Sequence, residues 1–425
     1  MLDVEGAKED VLARISKSRN KIVRSLTDLI GFESVMGPDI GAETEAQLWI
    51  SERLRSLGAK VDLWNVTRDI LGHRLKKPRP DCVGVLGRRS PSLILNSHVD
   101  VVPAGDRKKW RYEPFKGTLV DGKIVGRGAC DAKGGLVAIL SAVECILEAG
   151  YRPRGRLTVE SVMGEESGEG GTLSAIRRGY IADAAIVAEP TDLEIQPQEG
   201  GTLWLRLTIP GLSTHTAFRW SGIRPGGKRD SVNAIEKGLK LVEVLLDLER
   251  EWGTRKTHPL FPSGWTTISP NLIGGGTAVN TIPESLSVSF NIWYYPTEDP
   301  EEVKDEIEGT IRAACRADSW LKAHEPKMEW LLNYPSASTD INDQVVGTVR
   351  NAHRRALSRE PNLSAFQAVC DMKFLRNDGL MPSVIYGPGS LRRAHTPDEY
   401  VTVDALLNAT RVIALTTIDW CGVTR

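Results

Sequence analysis

Net charge is almost absent from this 425-residue chain: 54 Lys+Arg stand against 55 Asp+Glu, a formal charge of −1. A dedicated nucleic-acid binder needs a basic excess, so that class is excluded. Long apolar runs are missing too, and none approaches the roughly 20 residues that span a bilayer. Cysteine is scarce and scattered, six residues (Cys82, Cys130, Cys145, Cys315, Cys370, Cys421) with no C-x-x-C pair. That excludes a disulfide framework and a zinc knuckle and points to reduced thiols. The opening stretch MLDVEGAKED is acidic and polar, unlike a secretory or transit leader, so a cytoplasmic location is expected. No internal repeat or low-complexity tract occurs. What is present, 41% hydrophobic and 26% charged residues, describes a globular chain able to bury a large core, with a length that suits about two to three domains.

The apolar pattern predicts helices from Ala7 to Ile30 and Ala42 to Leu57, then strands at Lys60–Trp64, Cys82–Leu86 and Ser92–Asn96. SLILN is a continuous apolar run, as in a strand buried on both faces. Leu136, Leu140, Val143 and Leu147 line one face of a helix that Gly150 and Pro153 close. Strands follow at Arg156–Met163 and Ala184–Ala188. Strand–helix alternation of this kind predicts an α/β domain with a largely parallel sheet flanked by helices. Near residue 199 the order changes. Strand Thr202–Ile209, a helix striped by Ile235, Leu239, Val242 and Leu246, strands Thr266–Ile273 and Leu286–Tyr294, a helix striped by Val303, Ile307, Ile311 and Ala314, and strand Lys327–Leu332 give β-α-β-β-α-β. That is the ferredoxin-like order. It predicts an inserted α+β domain at 199–333 within a discontinuous domain of 1–198 and 334–425. The latter ends with a helix at about 341–357, strand Ser383–Tyr386 and a helix at about 402–418.

Five places carry chemistry. Ser97-His98-Val99-Asp100 follows a buried strand, at the rim where open α/β sheets bind ligands. His98 suits a metal, with the Asp100 carboxylate on its other ring nitrogen; a surface His beside an Asp fits the pattern as well. Asp131, in GRGACDAKGG, opens a helix and reads equally as its N-cap, but four glycines in those ten residues suggest a backbone shaped beside a ligand. Glu165-Glu166 closes a strand; adjacent carboxylates there are either a solvated turn or a metal ligand beside a general base. Glu189 ends the next strand, and His395 follows the last one, after Gly387-Pro388-Gly389. One rim thus gathers two imidazoles and several carboxylates, a set for a borderline divalent ion such as zinc, manganese or cobalt.

HVDVVP, DGKIVGRGACDAKGG, GEE, AEPT and AHTPDEY, in that order, resemble a family of metallohydrolases. It includes acetylornithine deacetylase, succinyl-diaminopimelate desuccinylase, aminoacylase and glutamate carboxypeptidase. The resemblance implies a phosphorylase/hydrolase-like catalytic domain holding one or two divalent ions (Zn, Mn or Co). His98, Asp131 and Glu189 would hold one, and Asp131, Glu166 and His395 the other, with Asp131 bridging. Asp100 would orient His98, Glu165 would be the general base, and the Asp131–Ala132 peptide would be cis. The insertion resembles the family's lid, which implies a homodimer through that domain. In GLSTHTA, His215 would reach the partner's site and hold developing oxygen charge, and Asn280 would contact substrate.

Many relatives carry an Arg on a lid strand that grips a substrate carboxylate. Alignment through SFNIWYYP puts Trp293 there, which stacks on flat rings instead. The lid holds seven of the eleven tryptophans (Trp204, Trp220, Trp252, Trp265, Trp293, Trp320, Trp330), and lid core or a dimer interface explains most of them. Arg219, Arg224, Arg376 and Arg393 remain candidates for a substrate carboxylate, and Gly387 and Gly389 for substrate contact. His73, His258, His324 and His353 lie outside any motif and read as surface residues. The expected activity is metal-dependent hydrolysis of a C–N bond in a small N-acyl or aryl-amide substrate. The alternatives are hydrolytic deamination of an activated aromatic amine and a catalytically silent small-molecule binder.

Overall fold

The computed structural model describes residues 4–37, 42–67, 70, 77–168, 170–223 and 230–425. They form two compact units, one of Met1–Gln198, Ser338–Phe366 and Cys370–Arg425, the other of Glu199–Ala337 with Gln367–Val369.

A six-stranded sheet organises the first unit, in the spatial order Lys60–Asn65, Pro80–Leu86, Gly155–Val162, Arg89–His98, Ala184–Val187, Ser383–Ile385. The last four run parallel, so their carboxyl ends share one edge. Only Pro80–Leu86 runs against its neighbours on both sides. The two sheet faces differ in chemistry. Leu93, Leu95, Leu157, Val159, Ala184 and Ile186 point into the apolar core shared with helices Lys133–Glu148 and Val403–Cys421. Asn96, Glu160 and Asp81 are also fully buried but bond elsewhere: Asn96 donates to Glu160 and to Thr172 of the short helix Gly171–Arg177, Thr172 donates to Asp371 before helix Met372–Asn377, and Asp81 accepts the Met163 N–H.

Helix Lys133–Glu148 was expected to bury one stripe. It buries every residue from Lys133 to Val143, because it lies between the sheet and helices Val403–Cys421, Arg19–Ile30 and Val4–Lys17. Its small side chains Ala138, Ser141 and Ala142 permit that enclosure. The expected helix 7–30 is two helices, Val4–Lys17 and Arg19–Ile30, interrupted at Ser18. A three-stranded sheet (Thr118–Val120, Lys123–Val125, Tyr400–Thr402) went unforeseen. Its turn, Asp121-Gly122 with φ of 47° and 71°, is the two-residue hairpin signal. His353, expected on the surface, is 1% exposed, and its Nδ1 lies 2.9 Å from the Tyr386 hydroxyl. His73 and Arg224 lie outside the described residues.

The second unit is a four-stranded antiparallel sheet ordered Ile268–Gly275, Ser285–Tyr294, Gly201–Pro210, Lys327–Tyr334, with helices Ala234–Arg255 and Pro300–Ala317. This is the ferredoxin-like arrangement. Leu203, Leu205, Leu207 and Ile209 face the helices while Trp204 and Arg206 are exposed, the alternation of a half-buried strand. The buried stripe of Ala234–Arg255 is Ala234, Gly238, Leu241, Leu245, Leu248 and Trp252. The expected stripe was rotated by one residue, and Leu239 is 53% exposed. Gly238 accounts for the shift: a Cβ there would lie 2.2 Å from Leu286 Cδ2, so the helix meets the sheet at a residue without a side chain.

A second close approach tests the packing of the first unit. A Cβ on Gly135 would lie 2.3 Å from the Ala188 carbonyl oxygen. Gly135→Ala is expected to destabilise the fold by about 1–3 kcal/mol through overpacking, read as a lowered unfolding midpoint. A wild-type midpoint would show that the helix does not press on the end of strand Ala184–Val187.

Candidate metal centre

The parallel strands deliver the chemistry to one edge. His98 is the last residue of its strand. Glu165 and Glu166 sit in a short turn three residues after Val162, and Glu189 lies two residues after Val187. Asp131 precedes helix Lys133–Glu148, whose N-cap position is Ala132, with no side-chain cap. Asp131 is therefore not the cap that its position in the sequence allowed. The Asp131–Ala132 peptide is cis. His395 follows the last strand on a loop where it and Asp398 hold left-handed backbone, φ 61° and 54°; such values in residues other than glycine are sparsely populated and concentrate at functional sites.

These side chains converge. His98 Nε2 lies 3.0 Å from Asp131 Oδ1, 3.7 Å from Glu189 Oε1 and 4.0 Å from Glu165 Oε2. The second imidazole stands on the other side of the same carboxylate, with His395 Nε2 3.4 Å from Asp131 Oδ2 and 2.9 Å from Glu166 Oε2. Asp131 therefore presents one oxygen to each imidazole. Ligand atoms of His98, Asp131 and Glu166 all fall within 4.8 Å of one another.

Asp100 departs from its expected contact. The His98 ring bonds through Nδ1 to the Asp100 backbone carbonyl at 2.8 Å, while the Asp100 carboxylate stands 3.6 Å away. A ring N–H donated to a carbonyl fixes the tautomer as a carboxylate would, leaving Nε2 free to ligate. The carboxylate instead accepts the backbone N–H groups of Gly164 (2.8 Å), Glu165 (3.3 Å) and Glu166 (3.2 Å). Asp100 thus shapes the turn that presents both glutamates.

The electrostatics are those of an anionic cage. Burial drives Glu165 and Glu189 well above the ordinary carboxylate range. Burial and the Asp131 charge push Glu166 up to about 7. Burial opposes the charged form of His98, yet Glu189, Asp100 and Asp131 hold its pKa well above the imidazole norm. Hydrogen bonds to Asp131 and Glu166 raise His395 to about 10. Burial also opposes the charge on Asp131, but the two imidazoles hold it far below its usual value. Glu166 Oε1 and Glu189 Oε1 are buried without a hydrogen-bond partner. Orphaned carboxylate oxygens beside two imidazoles are a mixed N/O donor set that suits divalent cations.

The other expected contacts divide. Gly387 N donates to Thr191 Oγ1 at 3.1 Å, and a Cβ there would lie 2.5 Å from the Glu189 carbonyl oxygen. On Gly389, with φ 87°, a Cβ would lie 2.7 Å from Cys130 Sγ. Both glycines let the loop press on segments that carry cage residues, a packing role the substrate expectation overlooked. Arg376 Nε donates to the Ser338 carbonyl at 2.7 Å, so that part of its guanidinium holds backbone. His215, Asn280 and Trp293 belong to the second unit. His215 is exposed, and its Nδ1 accepts the Ala217 N–H at 3.1 Å, which leaves the proton on Nε2. The Thr216 N–H donates to the Asn280 carbonyl at 3.1 Å, so His215 and Asn280 share one loop cluster. Trp293 is half-buried and packs on Trp265, ring centroids 5.5 Å apart; Trp265 in turn meets Phe261 and Tyr295.

A family model described as Peptidase family M20/M25/M40 matches residues 94–419. Among curated proteins, the N-formyl-4-amino-5-aminomethyl-2-methylpyrimidine deformylase of Halalkalibacterium halodurans is 33% identical over 97% of this chain and 97% of its own. The Bacillus subtilis protein of the same name is 33% identical over 96% of each. Among solved structures, human carnosine dipeptidase 1 matches with a TM-score of 0.75 at 18% identity, over 97% of this chain and 98% of its own. A Bacillus subtilis protein described as a dinuclear metal-binding peptidase from the M20 family matches at 0.62 and 15% identity, over 95% and 99%.

His395 binds a proton with a pKa of about 10 in the cation-free protein. A ligating imidazole must lose that proton. Divalent-ion uptake by the chelated protein at about pH 7 is therefore expected to release protons, and affinity is expected to rise with pH. Calorimetry in buffers of different ionisation enthalpy measures this. Uptake with no proton release would break the pairing of His395 with Asp131 and Glu166.

Proposed function

We infer that this chain, which belongs to peptidase family M20/M25/M40, removes a formyl or similarly short acyl group from an amine carried on a small heteroaromatic ring. It is a hydrolase acting on a C–N bond, as its deformylase relatives are. The observation that carries the finer reading is identity of 33% along 97% of both chains with a deformylase of a formylated aminomethylpyrimidine. Trp293 supports it from within this sequence, because an indole stacks on a pyrimidine and a guanidinium fork is not needed when the substrate has no carboxylate. Those relatives remove a formyl group from nitrogen, which favours amide hydrolysis over deamination. No helix among the described residues is long and apolar enough to cross a membrane.

His98, Asp131 and Glu189 would hold one divalent ion (zinc, manganese or cobalt), and Asp131, Glu166 and His395 a second. Bound there, such ions polarise an amide carbonyl and lower the pKa of water toward about 7. Glu165 takes a proton from the attacking water and delivers it to the leaving nitrogen. Its burial-raised affinity for protons suits a group that must hold one between the two steps. Asp100 keeps Glu165 aimed by its grip on the 164–166 backbone. His215, protonated at Nε2, donates to the oxygen that gains charge, in a homodimer formed through the second unit. Water adds to the amide carbon, the C–N bond breaks, and formate and a free amine leave.

Glu165→Gln is expected to lower kcat by about 100- to 10,000-fold with metal content unchanged; near-normal turnover would remove Glu165 from the base role. Trp293→Ala is expected to raise KM about two- to tenfold for a formylated aminomethylpyrimidine and to leave formyl-alkylamine kinetics alone. The deciding assay is formate release from that pyrimidine against acetate or succinate release from N-acyl amino acids. Turnover confined to the N-acyl amino acids would overturn the heteroaromatic reading.

A further inference from the structure

Glu399 touches neither imidazole, yet it is fully buried and both of its oxygens are engaged. Oε1 accepts the backbone N–H of Cys130 at 2.9 Å and that of Asp131 at 3.0 Å. Oε2 meets Arg127 Nη1 at 2.5 Å, in an ion pair whose side chains are 0% and 2% exposed. The guanidinium lies 5.2 Å over the Trp110 ring, and Nη2 reaches the Pro103 carbonyl at 3.4 Å. The two backbones join again where Gly126 N donates to the Glu399 carbonyl at 2.9 Å. The segment ending in Asp131 and the loop that starts at His395 are thus one clamp, closed by a single carboxylate through charge-assisted bonds.

We propose that Glu399 is a positioning residue that sets the separation of Asp131 from His395, and so the second of the two cation positions. This rests on the reading of Asp131 and His395 as ligands. The clamp acts on the N–H of the bridging residue itself, so its loss moves Asp131 relative to His395, which has only loop backbone behind it. His98 is fixed independently, by its strand and by the Asp100 carbonyl at 2.8 Å. The effect is therefore unequal: both positions share Asp131, but the first keeps His98 and Glu189, which the clamp does not touch, with Asp131 Oδ1 still held 3.0 Å from His98, whereas the second loses the register of both Asp131 and the His395 loop.

The test titrates the chelated full-length protein with Co(II), followed by calorimetry and visible absorption. Wild type is expected to take two equivalents. Glu399→Ala is expected to keep the first and bind the second at least tenfold more weakly. Glu399→Gln retains an acceptor oxygen for the two N–H groups but turns an amide N–H toward Arg127, so it is expected to lose the second position as well. Combining it with Arg127→Met removes the opposed donors and is expected to restore binding, a rescue that general destabilisation does not give. Two equivalents at wild-type affinity in Glu399→Ala, or equal loss of both, overturn the proposal. If Glu399→Ala does not fold, the Gln variant and its double decide: unchanged affinity in the first, or no recovery in the second, overturns it. His395→Ala in the same titration checks the ligands. Binding of both equivalents by that variant overturns the ligand reading, and the proposal falls with it.

Discussion

Asp131, Glu165, Glu166 and Glu189 are pressed around two imidazoles, His98 buried and His395 half exposed, and the backbone around them is built to hold that crowding. Like charges at such separations repel unless protons or cations lie among them. The protein without cations answers with protons: burial and the Asp131 charge lift Glu166 to about 7, and the neighbouring carboxylates lift His395 to about 10. A divalent ion held by these groups would supply a fixed double charge in place of those protons, and would favour ionised acids and neutral imidazoles.

Such a site needs a backbone that does not yield to the repulsion. Two buried carboxylates, Asp100 and Glu399, supply it in the same way, by collecting backbone N–H groups. Asp100 collects the three N–H groups of the glutamate turn, and Glu399 collects the two before and at Asp131. Each adds negative charge close to a site already rich in it, and each is stabilised by donors that cannot leave: backbone amides in one case, amides and Arg127 in the other. Anchoring by carboxylate raises the negative potential that draws cations in, so positioning and affinity come from the same groups.

The cage residues were legible in the sequence because each follows an apolar strand or stands inside a glycine-rich motif: His98 after SLILN, Glu165 and Glu166 after Val162, Glu189 after Val187, and Asp131 among its glycines. Their convergence rests on four parallel strands sharing an edge, which strand–helix alternation already implied. Glu399 and Arg127 lie within quoted motifs too, but nothing local says that an acid four residues past His395 turns inward to meet an amide 268 residues away. The Asp100 contact was misread for a related reason, since the H-x-D spacing cannot tell a carboxylate from the carbonyl of the same residue. The Asp121-Gly122 hairpin carried a signal in its sequence, and its strands are three residues each, too short for periodicity to register. The stripe of helix Ala234–Arg255 was misplaced because Gly238, with no side chain to count as apolar, is the point of closest contact.

The face of the central sheet away from the apolar core completes the account. There Asn96 Nδ2 donates to Glu160 at 3.0 Å and to Thr172 Oγ1 at 2.9 Å, and that hydroxyl donates to Asp371 at 2.7 Å. Asp81 accepts the N–H of Met163, the residue before the glutamate turn, at 2.9 Å. Acids buried this close to the cage compete for cations if they ionise. Burial instead pushes Glu160 up to about 8 and raises Asp81 and Asp371, which favours their neutral forms. Through Thr172 and Asp371 these bonds tie the strand ends to the short helices Gly171–Arg177 and Met372–Asn377. Among the described residues only His98, Asp131 and Glu166 gather closely enough for three such side chains to hold one metal ion. The layer beneath therefore ties down the strand ends without offering a rival site, and the difference between the two acid clusters is the presence of imidazole in one and its absence from the other.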